Sequence, residues 1–332
     1  MKEPDHELVT TIRDQLKSAK KVLVISHQRP DGDAIGSLLA VGLALICDGK
    51  EVQMVLKDGI PDNFRFLKGS ELIKTKPQGR VDYIIVVDSA EIERTDTELN
   101  NDVPDLNIDH HKTNTSFALI NLVESEAVAT AEIITRYLPD FGFGITQPIA
   151  NALLTGIVTD TIGFRTTNVN PQVLRMVADL MEMGGDLSEI YHKTIIEQSL
   201  ASARYWGAGL TKIKMKDGLV WTTLSLSERQ VAGYTSRDDA DLVKVLSAIE
   251  GAKIAVILTE QTGGYVKISW RLCNGADPDF DVSDIAQKFG GGGHKAASGA
   301  DVKGKLDEVL VKVLEDAKKS MNHVRATIEN IR

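Results

Sequence analysis

The chain has 332 residues, of which 42% are hydrophobic and 26% are charged. Because single hydrophobic cores rarely grow beyond the low hundreds of residues, this length predicts two domains, and the composition excludes a disordered or fibrous chain. The net charge of -9 argues against long duplex nucleic acid as the main partner. A small phosphorylated ligand can still bind, since local cations outweigh distant surface charge.

The N-terminal segment, MKEPDHELVT, lacks the basic and apolar regions of a secretory signal. No apolar run reaches the roughly 18 residues expected of a membrane span. We therefore expect a cytoplasmic protein without a membrane partner. The two cysteines, Cys47 and Cys273, lie far apart and outside any CxxC motif. This excludes a thiolate zinc cluster and predicts two small buried apolar side chains.

The first half of the chain alternates between short apolar runs and helical patterns. Such alternation predicts a parallel sheet covered on both faces, which is a doubly wound α/β domain. The predicted strands span residues 21–26, 52–56 and 83–87, and the predicted helices span 36–47, 129–137, 149–158 and 173–183.

The pattern changes after a further predicted helix at 197–210 and the turn Lys216-Asp217-Gly218. We place the boundary of a second domain at this turn. The predicted organisation is a domain of residues 1–196, a connecting helix or linker of 197–215, and a smaller α/β domain of 216–332. Within the last, strands are predicted at 219–224, 254–259 and 265–272, and helices near 241–249, 282–289 and 305–320.

The loop at 26–37, SHQRPDGDAIGS, lies between a predicted strand and a predicted helix. In open parallel sheets, ligands bind at the carboxyl ends of strands, which is where this loop begins. His27, Asp31 and Asp33 can face one point from such a loop. Taken alone, the loop is equally compatible with a Pro-Asp-Gly turn that carries solvated carboxylates.

Three further groups of polar residues follow apolar elements: Asp88, the run Asp109-His110-His111, and Asp160. Each has an ordinary alternative, namely a helix N-cap, a pair of surface histidines and a turn residue. Since adjacent strand residues point to opposite sides, at most one of the two histidines is expected to share a ligand shell with Asp88, while the other serves a different purpose. Four such segments in a chain with seven histidines make coincidence a poor explanation.

The donor types in these segments predict the kind of metal. Carboxylate oxygens and imidazole nitrogens without a thiolate suit Mn²⁺ better than a structural zinc. Six such ligands exceed the needs of one ion. Two ions about 3.5 to 4 Å apart require a bridging carboxylate and can hold a hydroxide that attacks phosphorus in line.

A glycine-rich segment, FGGGGHKAASGA at 289–300, stands out in the second domain. Four glycines before His294 and Lys295 let backbone N–H groups approach an anion closely, as in phosphate-binding nests. A flexible loop is the ordinary alternative. The nearby Ser298, together with Arg271 on a predicted strand, favours phosphate binding.

Five segments, HQRPDGDAIGS, VVDSAE, NIDHHKTN, GIVTDTIGF and FGGGGHKAASG, resemble the successive motifs of the DHH phosphoesterase superfamily with its DHH-associated C-terminal domain. The match covers nearly the whole chain, and the size is similar to that of bifunctional oligoribonucleases and pAp phosphatases. The resemblance implies a manganese-dependent hydrolase of short oligonucleotides, cleaved from an end, and of pAp-type 3′-phosphonucleotides. A homodimer is left open as its assembly state.

The resemblance also implies a role for each site residue. One Mn²⁺ would be held by His27, Asp31 and Asp88, and the other by Asp33, Asp88, His110 and Asp160, with Asp88 bridging. His111 would contact the scissile phosphate or assist the leaving group, and Asp109 would orient the histidines. The implied substrate-binding residues are Arg271, Gly291, Gly292, Gly293 and His294. Ser298 is an additional candidate in AASG, where many relatives have AAG, so its role stays open.

Other functions share part of this pattern. A cyclic dinucleotide phosphodiesterase resembles the same motifs and differs mainly in its substrate. A type II inorganic pyrophosphatase resembles only the N-terminal motifs, and a RecJ-like exonuclease is expected to carry further nucleic-acid-binding modules. A non-catalytic nucleotide-binding regulator is disfavoured, because every expected ligand position is filled.

Overall fold

The computed structural model describes residues 6–99, 102–273, 275–277 and 280–329, and for residues 294 and 322–329 it describes the backbone only. The chain divides into two compact units, Met1–Glu197 and Gln198–Arg332. None of the helices in these described ranges combines the length and apolar character that a bilayer-spanning segment needs.

A parallel sheet forms the centre of the first unit. Its strands are β1 (Lys21–Ile25), β2 (Glu51–Val55), β3 (Ile73–Lys74), β4 (Tyr83–Val87), β5 (Leu106–Asp109) and β6 (Ile120–Val123). They lie in the order β3-β2-β1-β4-β5-β6, and every neighbouring pair is parallel. The chain reverses its direction of winding between β1 and β4, and such switch points are where doubly wound sheets bind ligands. The predicted fold class is confirmed.

The helices of the first unit are α1 (His6–Ser18), α2 (Gly32–Cys47), α3 (Thr130–Tyr137), α4 (Gln147–Asp160), α5 (Pro171–Glu182) and α6 (Leu187–Tyr191), the last continuing into a π-helical turn, His192–Ile196. Four of these helices were predicted, with ends that differ from the observed ones by at most four residues, and α1 and α6 were not predicted. Helix α2 begins earlier than predicted because the Asp31 side chain accepts hydrogen bonds from the N–H groups of Asp33 and Ala34, both at 3.1 Å.

Consecutive apolar residues in the central strands serve two different cores. Val24 of β1 and Ile85 of β4 face the larger core, which also contains the buried faces of α2, α3 and α4. Leu23 and Ile84 face a smaller cluster, which packs against connecting segments that include a 3-10 helix at Ile92–Thr95. Because both faces are buried, these strands are apolar throughout, which is why the sequence predicts them well.

The second unit contains a mixed sheet with helices. In chain order its elements are α7 (Leu200–Leu210), β7 (Lys214–Lys216), β8 (Leu219–Leu224), α8 (Leu226–Ala232), α9 (Leu242–Leu246), β9 (Ile254–Gln261), β10 (Tyr265–Leu272), α10 (Val282–Lys288), β11 (Gly292–His294), β12 (Ala297–Lys303) and α11 (Leu306–Glu329). The strand order is β11-β12-β10-β9-β8-β7, and of these pairs only β8 and β9 are parallel.

Helix α7 packs within the second unit. Thr222 of β8 donates its hydroxyl hydrogen to the Gly209 carbonyl oxygen at 2.6 Å, and α7 also contacts α8. The turn at 216–218, where we predicted a domain boundary, connects the paired strands β7 and β8. The two compact units instead divide between Glu197 and Gln198.

The two cysteines differ in their environments. Cys273 is buried, as predicted, and burial raises the pKa of its thiol to about 11. The prediction that Cys47 is buried is wrong. It is exposed, because it is the last residue of α2, where the helix reaches the surface.

Helices α2 and α4, which carry site residues, approach each other closely through glycines. A β-carbon at Gly36 would lie 2.3 Å from the backbone oxygen of Ala152, and one at Gly156 would lie 2.6 Å from Asp33 Oδ1. Atoms this close cannot be accommodated unless the helices move apart. The glycines therefore set the helix separation that brings the start of α2 next to the end of α4.

We expect Gly36→Ala to destabilise the protein by about 1 to 3 kcal/mol, because the new methyl group must displace backbone atoms of α4. Gly207→Ala is the matched control, since Gly207 lies in α7 and a β-carbon there meets nothing within 4 Å. Because alanine has a higher helix propensity than glycine, this control substitution should stabilise the protein by about 1 kcal/mol. Urea unfolding followed by circular dichroism measures both, and equal losses would rule out the close contact as the cause.

Candidate metal centre and active site

The four predicted ligand segments come together at the carboxyl ends of the central strands. His27 and Asp31 follow β1, Asp88 follows β4, and His110 follows β5. Asp88 adopts a left-handed conformation with a φ of 54°, which Asp tolerates better than most residues. Its N–H group donates to the Ile108 carbonyl oxygen at 2.9 Å, so the end of β4 is fixed to β5.

His27, Asp31 and Asp88 form the first group of potential ligands. One ligand atom from each lies within 4.8 Å of the others. His27 Nε2 lies 3.6 Å from Asp88 Oδ2 and 4.0 Å from Asp31 Oδ1. His27 Nδ1 lies 2.8 Å from the Gln28 carbonyl oxygen, to which it can donate its hydrogen. This bond directs Nε2, the other ring nitrogen, toward the carboxylates.

Asp33, His110 and Asp160 form the second group, again with ligand atoms within 4.8 Å of one another. His110 Nε2 lies 3.5 Å from Asp160 Oδ2, 3.9 Å from Asp33 Oδ2 and 3.8 Å from Asp88 Oδ1. The two oxygens of Asp88 therefore face different histidines, with Oδ2 near His27 and Oδ1 near His110. This is the arrangement that a carboxylate bridging two metal ions requires.

His111 joins a third group with Asp88 and His110. Its Nδ1 lies 2.7 Å from Asp109 Oδ1 and 3.9 Å from Asp88 Oδ1. His110 Nε2 and His111 Nδ1 thus lie at similar distances from Asp88 Oδ1, 3.8 and 3.9 Å, and that at most one of them shares a ligand shell with Asp88 stays a prediction. Strand β5 ends at Asp109, so the histidines follow in a turn and are not subject to the alternation of strand side chains.

Thr130, which the motifs do not single out, connects the two groups. Its hydroxyl donates to Asp88 Oδ1 at 2.9 Å, and its N–H donates to Asp33 Oδ2 at 2.6 Å. The Ala131 N–H donates to Asp33 Oδ1 at 2.9 Å. Asp33 thus caps α3 from another helix, because the N-cap residue Ala129 has no polar side chain. One sign of this contact is present in the sequence, because Ala129, the N-cap residue before Thr130, has no side chain that can cap the helix.

Burial and mutual repulsion raise the pKa of two carboxyl groups in this cluster. Burial raises the pKa of Asp33 well above its ordinary value, and the charges of Asp88 and Asp160 raise it further. Burial likewise raises the pKa of Asp160 to about 6, against the opposing effect of His110. Burial also raises the pKa of Asp88, but the hydrogen bond with His27 and the charge of His110 outweigh it and lower the pKa below its ordinary value.

The pKa values of two histidines are also raised. Burial lowers the pKa of His27, but the hydrogen bond and charge of Asp88 raise it by more. The hydrogen bond with Asp109 raises the pKa of His111 more than burial lowers it. Nearby carboxylates therefore stabilise the protonated form of both rings.

Histidines are the ion-pair partners of the buried carboxylates in this cluster. Over the described ranges, the recorded ion-pair partners of Asp33, Asp88 and Asp160 are histidines, with neither lysine nor arginine among them. Buried carboxylates without a counter-charge are unfavourable, and divalent cations would neutralise them. Oxygen and imidazole donors without thiolates also match the preferences of such ions. The cluster can therefore bind metal.

Metal binding should change how stability depends on pH. In the metal-free protein the raised pKa values of Asp33, Asp160, His27 and His111 contribute stability below the unfolded pKa values, and this is lost as pH rises through the folded values. The lowered pKa of Asp88 acts oppositely, but below its ordinary value of 3.8. We expect the melting temperature in EDTA to fall between about pH 5 and 8, and Mn²⁺ to raise it increasingly over that range.

Thermal unfolding at several pH values, with EDTA and with Mn²⁺, measures this effect without any enzyme assay. Ca²⁺ at the same concentration is a control for general divalent stabilisation, since it prefers larger all-oxygen sites. A melting temperature that is the same with and without Mn²⁺ at every pH would contradict a metal centre in this cluster.

The predicted substrate-binding residues lie at one edge of the second sheet. Arg271 of β10 pairs with Ala297 of β12, and its Nε is buried without a hydrogen-bond partner among the described residues. Gly291 has no space for a side chain, because a β-carbon would lie 2.1 Å from the Gly299 carbonyl oxygen. The backbone of Gly292, Gly293 and His294 forms β11, so this part of the glycine run is a strand and not a flexible loop.

Ser298 and His294 complete the predicted set. The Ser298 hydroxyl donates to the Val282 carbonyl oxygen at 2.8 Å, which ties β12 to the start of α10. The side chain of His294 lies outside the described part of the chain. Ser298 therefore stabilises the local fold, and the substrate-binding role of both residues stays a prediction.

The chain is similar to known proteins over nearly its full length. The family models described as "DHH family, N-terminal domain" and "DHHA1 domain" match residues 21–157 and 228–322. The bifunctional oligoribonuclease and PAP phosphatase NrnA of Thermus thermophilus is 33% identical over 322 residues, which are 95% of each chain. The cyclic-di-AMP phosphodiesterase PdeA of Listeria monocytogenes is 25% identical over 88% of this chain but only 46% of its own length.

A solved structure shares the fold. An exopolyphosphatase-related protein from Bacteroides fragilis superposes with a TM-score of 0.88 at 24% identity, over 99% of both chains. The two family models in order, together with a relative above 30% identity that spans 95% of both chains, establish the family. The chain is a phosphoesterase of the DHH family that also carries the DHHA1 domain.

Proposed function

We propose that the protein is a manganese-dependent phosphoesterase that hydrolyses short oligonucleotides from one end and releases the 3′-phosphate of pAp-type nucleotides. The observation that carries this proposal is the placement of Asp88, whose two oxygens face His27 and His110 in two adjacent ligand groups. Paired ions held by a shared carboxylate suit in-line displacement at phosphorus. The name of the Thermus relative supports the same substrates.

The donor set favours manganese. The proposed ligands are His27, Asp31, Asp33, Asp88, His110 and Asp160, with Asp88 shared between two ions. Mn²⁺ accepts mixed carboxylate and imidazole donors, whereas Mg²⁺ and Ca²⁺ prefer oxygen alone. When bound, such ions supply a nucleophile at neutral pH and neutralise the charge that develops on phosphate.

In this proposal His111 contacts the reacting phosphate. Its Nδ1 is bonded to Asp109 Oδ1, so Nε2 is the ring nitrogen left for substrate. A protonated Nε2 can donate to a phosphate oxygen or to the leaving oxygen as the ester bond breaks. The raised pKa of His111 favours that protonated form. Asp109 is buried, and its hydrogen bond keeps a proton on Nδ1 of the His111 ring.

The second unit would bind the end of the substrate. We assign this role to Arg271, Gly291, Gly292, Gly293, His294 and Ser298. The unpartnered Nε of Arg271 supports the assignment, since a buried guanidinium nitrogen without a partner is unfavourable and a phosphate would satisfy it. At Gly291 the lack of a side chain lets the backbone pack closely against β12, and its N–H donates to the Ala286 carbonyl oxygen at 2.9 Å.

A single assay tests the proposed function. The Mn²⁺-loaded protein is given pAp, linear pApA, cyclic di-AMP and RNA oligomers of increasing length, with an EDTA-treated sample as control. We expect hydrolysis of pAp and pApA, rates that decrease with length, and no activity in EDTA. Cyclic di-AMP should react slowly, because it has no terminal phosphate for Arg271.

Two outcomes would favour other functions. Faster hydrolysis of cyclic di-AMP than of pApA would support the phosphodiesterase activity named for the Listeria relative. Tight binding of these nucleotides without turnover would support a regulator. Hydrolysis by protein shown by elemental analysis to be free of metal would rule out the proposed mechanism.

A further inference from the structure

The motif that contains the two histidines also contains two asparagines to which the proposed mechanism gives no role. Asn107 is a fully buried residue of β5, and Asn114 follows the histidines. The Asn114 amide Nδ2 donates to Asp109 Oδ2 at 2.6 Å and to Asn107 Oδ1 at 2.8 Å. Its Oδ1 accepts from the Ser116 N–H at 2.7 Å, which fixes the amide so that its NH₂ group faces Asp109.

Asp109 is held at both of its oxygens. Oδ1 is 2.7 Å from His111 Nδ1, and Oδ2 accepts from Asn114. A carboxylate that is bonded at one oxygen can still turn about its terminal side-chain torsion, which has a broad energy profile. The second bond removes this freedom. Asn114 thereby restricts the orientation of the imidazole ring that Asp109 holds.

The same network is anchored to the backbone around Asp88. Asn107 Nδ2 lies 3.2 Å from the Val86 carbonyl oxygen and 3.4 Å from the Ser89 carbonyl oxygen, and these two residues flank Asp88. Asn114 Nδ2 also lies 3.3 Å from the Ser89 oxygen. The chain of hydrogen bonds therefore fixes the position of His111 relative to Asp88, whose Oδ1 is 3.9 Å from His111 Nδ1.

We infer that Asn114 is a positioning residue for catalysis. It acts through Asp109 to keep His111 Nδ1 hydrogen-bonded to that carboxylate, so that Nε2 is directed to the substrate. Partners of this kind, one contact away from a reacting side chain, typically change activity by about 10 to 100-fold. The inference rests on the proposed role of His111 in the reaction. An experiment must therefore examine the two residues separately and together.

The experiment is a double-mutant cycle of Asn114→Ala and His111→Ala in the Mn²⁺-loaded enzyme, assayed with pAp. We expect Asn114→Ala to lower kcat by about 10 to 100-fold while KM and bound manganese stay unchanged. In the His111→Ala background the same substitution should change kcat by no more than about twofold. Asn170→Ala is the control, since it removes the N-cap of α5 and should lower the melting temperature without changing kcat.

Three outcomes would overturn the inference. If Asn114→Ala lowers kcat again by its full factor in the His111→Ala background, Asn114 does not act through His111. If Asn114→Ala alone leaves kcat unchanged, the positioning role is wrong even with His111 in place. If His111→Ala retains the wild-type rate, the proposed role of His111 fails first, and the inference fails with it.

A spectroscopic measurement provides a readout that does not depend on turnover. In the metal-free protein, long-range ¹H–¹⁵N correlation spectra distinguish the two imidazole tautomers. We expect a single tautomer protonated at Nδ1 for neutral His111 in the wild type and a mixture in Asn114→Ala. The wild-type pattern in both proteins would count against the inference.

Discussion

Replacement of Asp88 with Asn is expected to lower kcat by roughly 10³-fold or more and to reduce manganese at both proposed positions. Asp88 is 2% exposed, and its two oxygens face separate histidines, so no other described side chain serves both ligand groups in this way. Loss of one negative charge weakens the binding of both ions. A roughly 10³-fold loss of kcat corresponds to several kcal/mol of lost electrostatic stabilisation, at about 1.4 kcal/mol per tenfold. Activity and metal content should be measured on the same samples.

Asp31→Asn is the matched control for this prediction. Asp31 belongs to one ligand group only, and its side chain is 62% exposed. Asn caps a helix as well as Asp does, so the start of α2 should be kept. A smaller loss of activity, with at most one ion weakened, is expected. If Asp88→Asn keeps two full-occupancy ions and a near-normal rate, Asp88 does not bridge.

The second large effect is expected at Arg271, in the other unit. Arg271→Ala should leave manganese binding intact and lower the turnover of pApA by about 10 to 1,000-fold, the effect of losing one or two charge-assisted contacts of about 1.5 to 3 kcal/mol each. The buried Nε of this side chain has no hydrogen-bond partner among the described residues, and a guanidinium can hold a phosphate through paired N–H groups. Steady-state kinetics with pApA and a parallel metal analysis measure both parts.

A small ester separates substrate binding from chemistry in this variant. Bis-p-nitrophenyl phosphate has no terminal phosphate, so its hydrolysis should fall much less than that of pApA. Arg271→Lys is a second comparison, because it keeps the charge without the planar fork that holds two phosphate oxygens, and it should recover only part of the activity. Equal losses on both substrates would mean that Arg271 acts in chemistry or folding.

Local sequence patterns predict strands β1, β2 and β4 of the first sheet and most of the candidate ligands. The apolar run at 83–87 is buried along its whole length and ends at Asp88, so both the strand and the polar residue at its end are readable locally. The same holds for His27 after β1. Periodicity and burial are properties of a few neighbouring residues, which explains why these features do not need the tertiary structure.

Elements with weak local signals were not predicted. Strands β3 and β7 are short, with two and three residues, and all three residues of β7 are exposed. Helix α1 is amphipathic but polar on average, and only Val9, Ile12 and Leu16 are buried. The glycine run gives no strand signal either, because the residues of β11 pair only through their backbone with β12.

Which atoms meet at the site follows from the packing of distant elements. Thr130 binds Asp33 although the two are 97 positions apart, and it binds Asp88 across 42 positions. These contacts depend on the order of the strands and on the close approach of α2 and α4, which Gly36 permits. The pairing of each Asp88 oxygen with a different histidine has the same origin. Long-range hydrogen bonds follow from how the elements pack, and no local pattern along the chain encodes them.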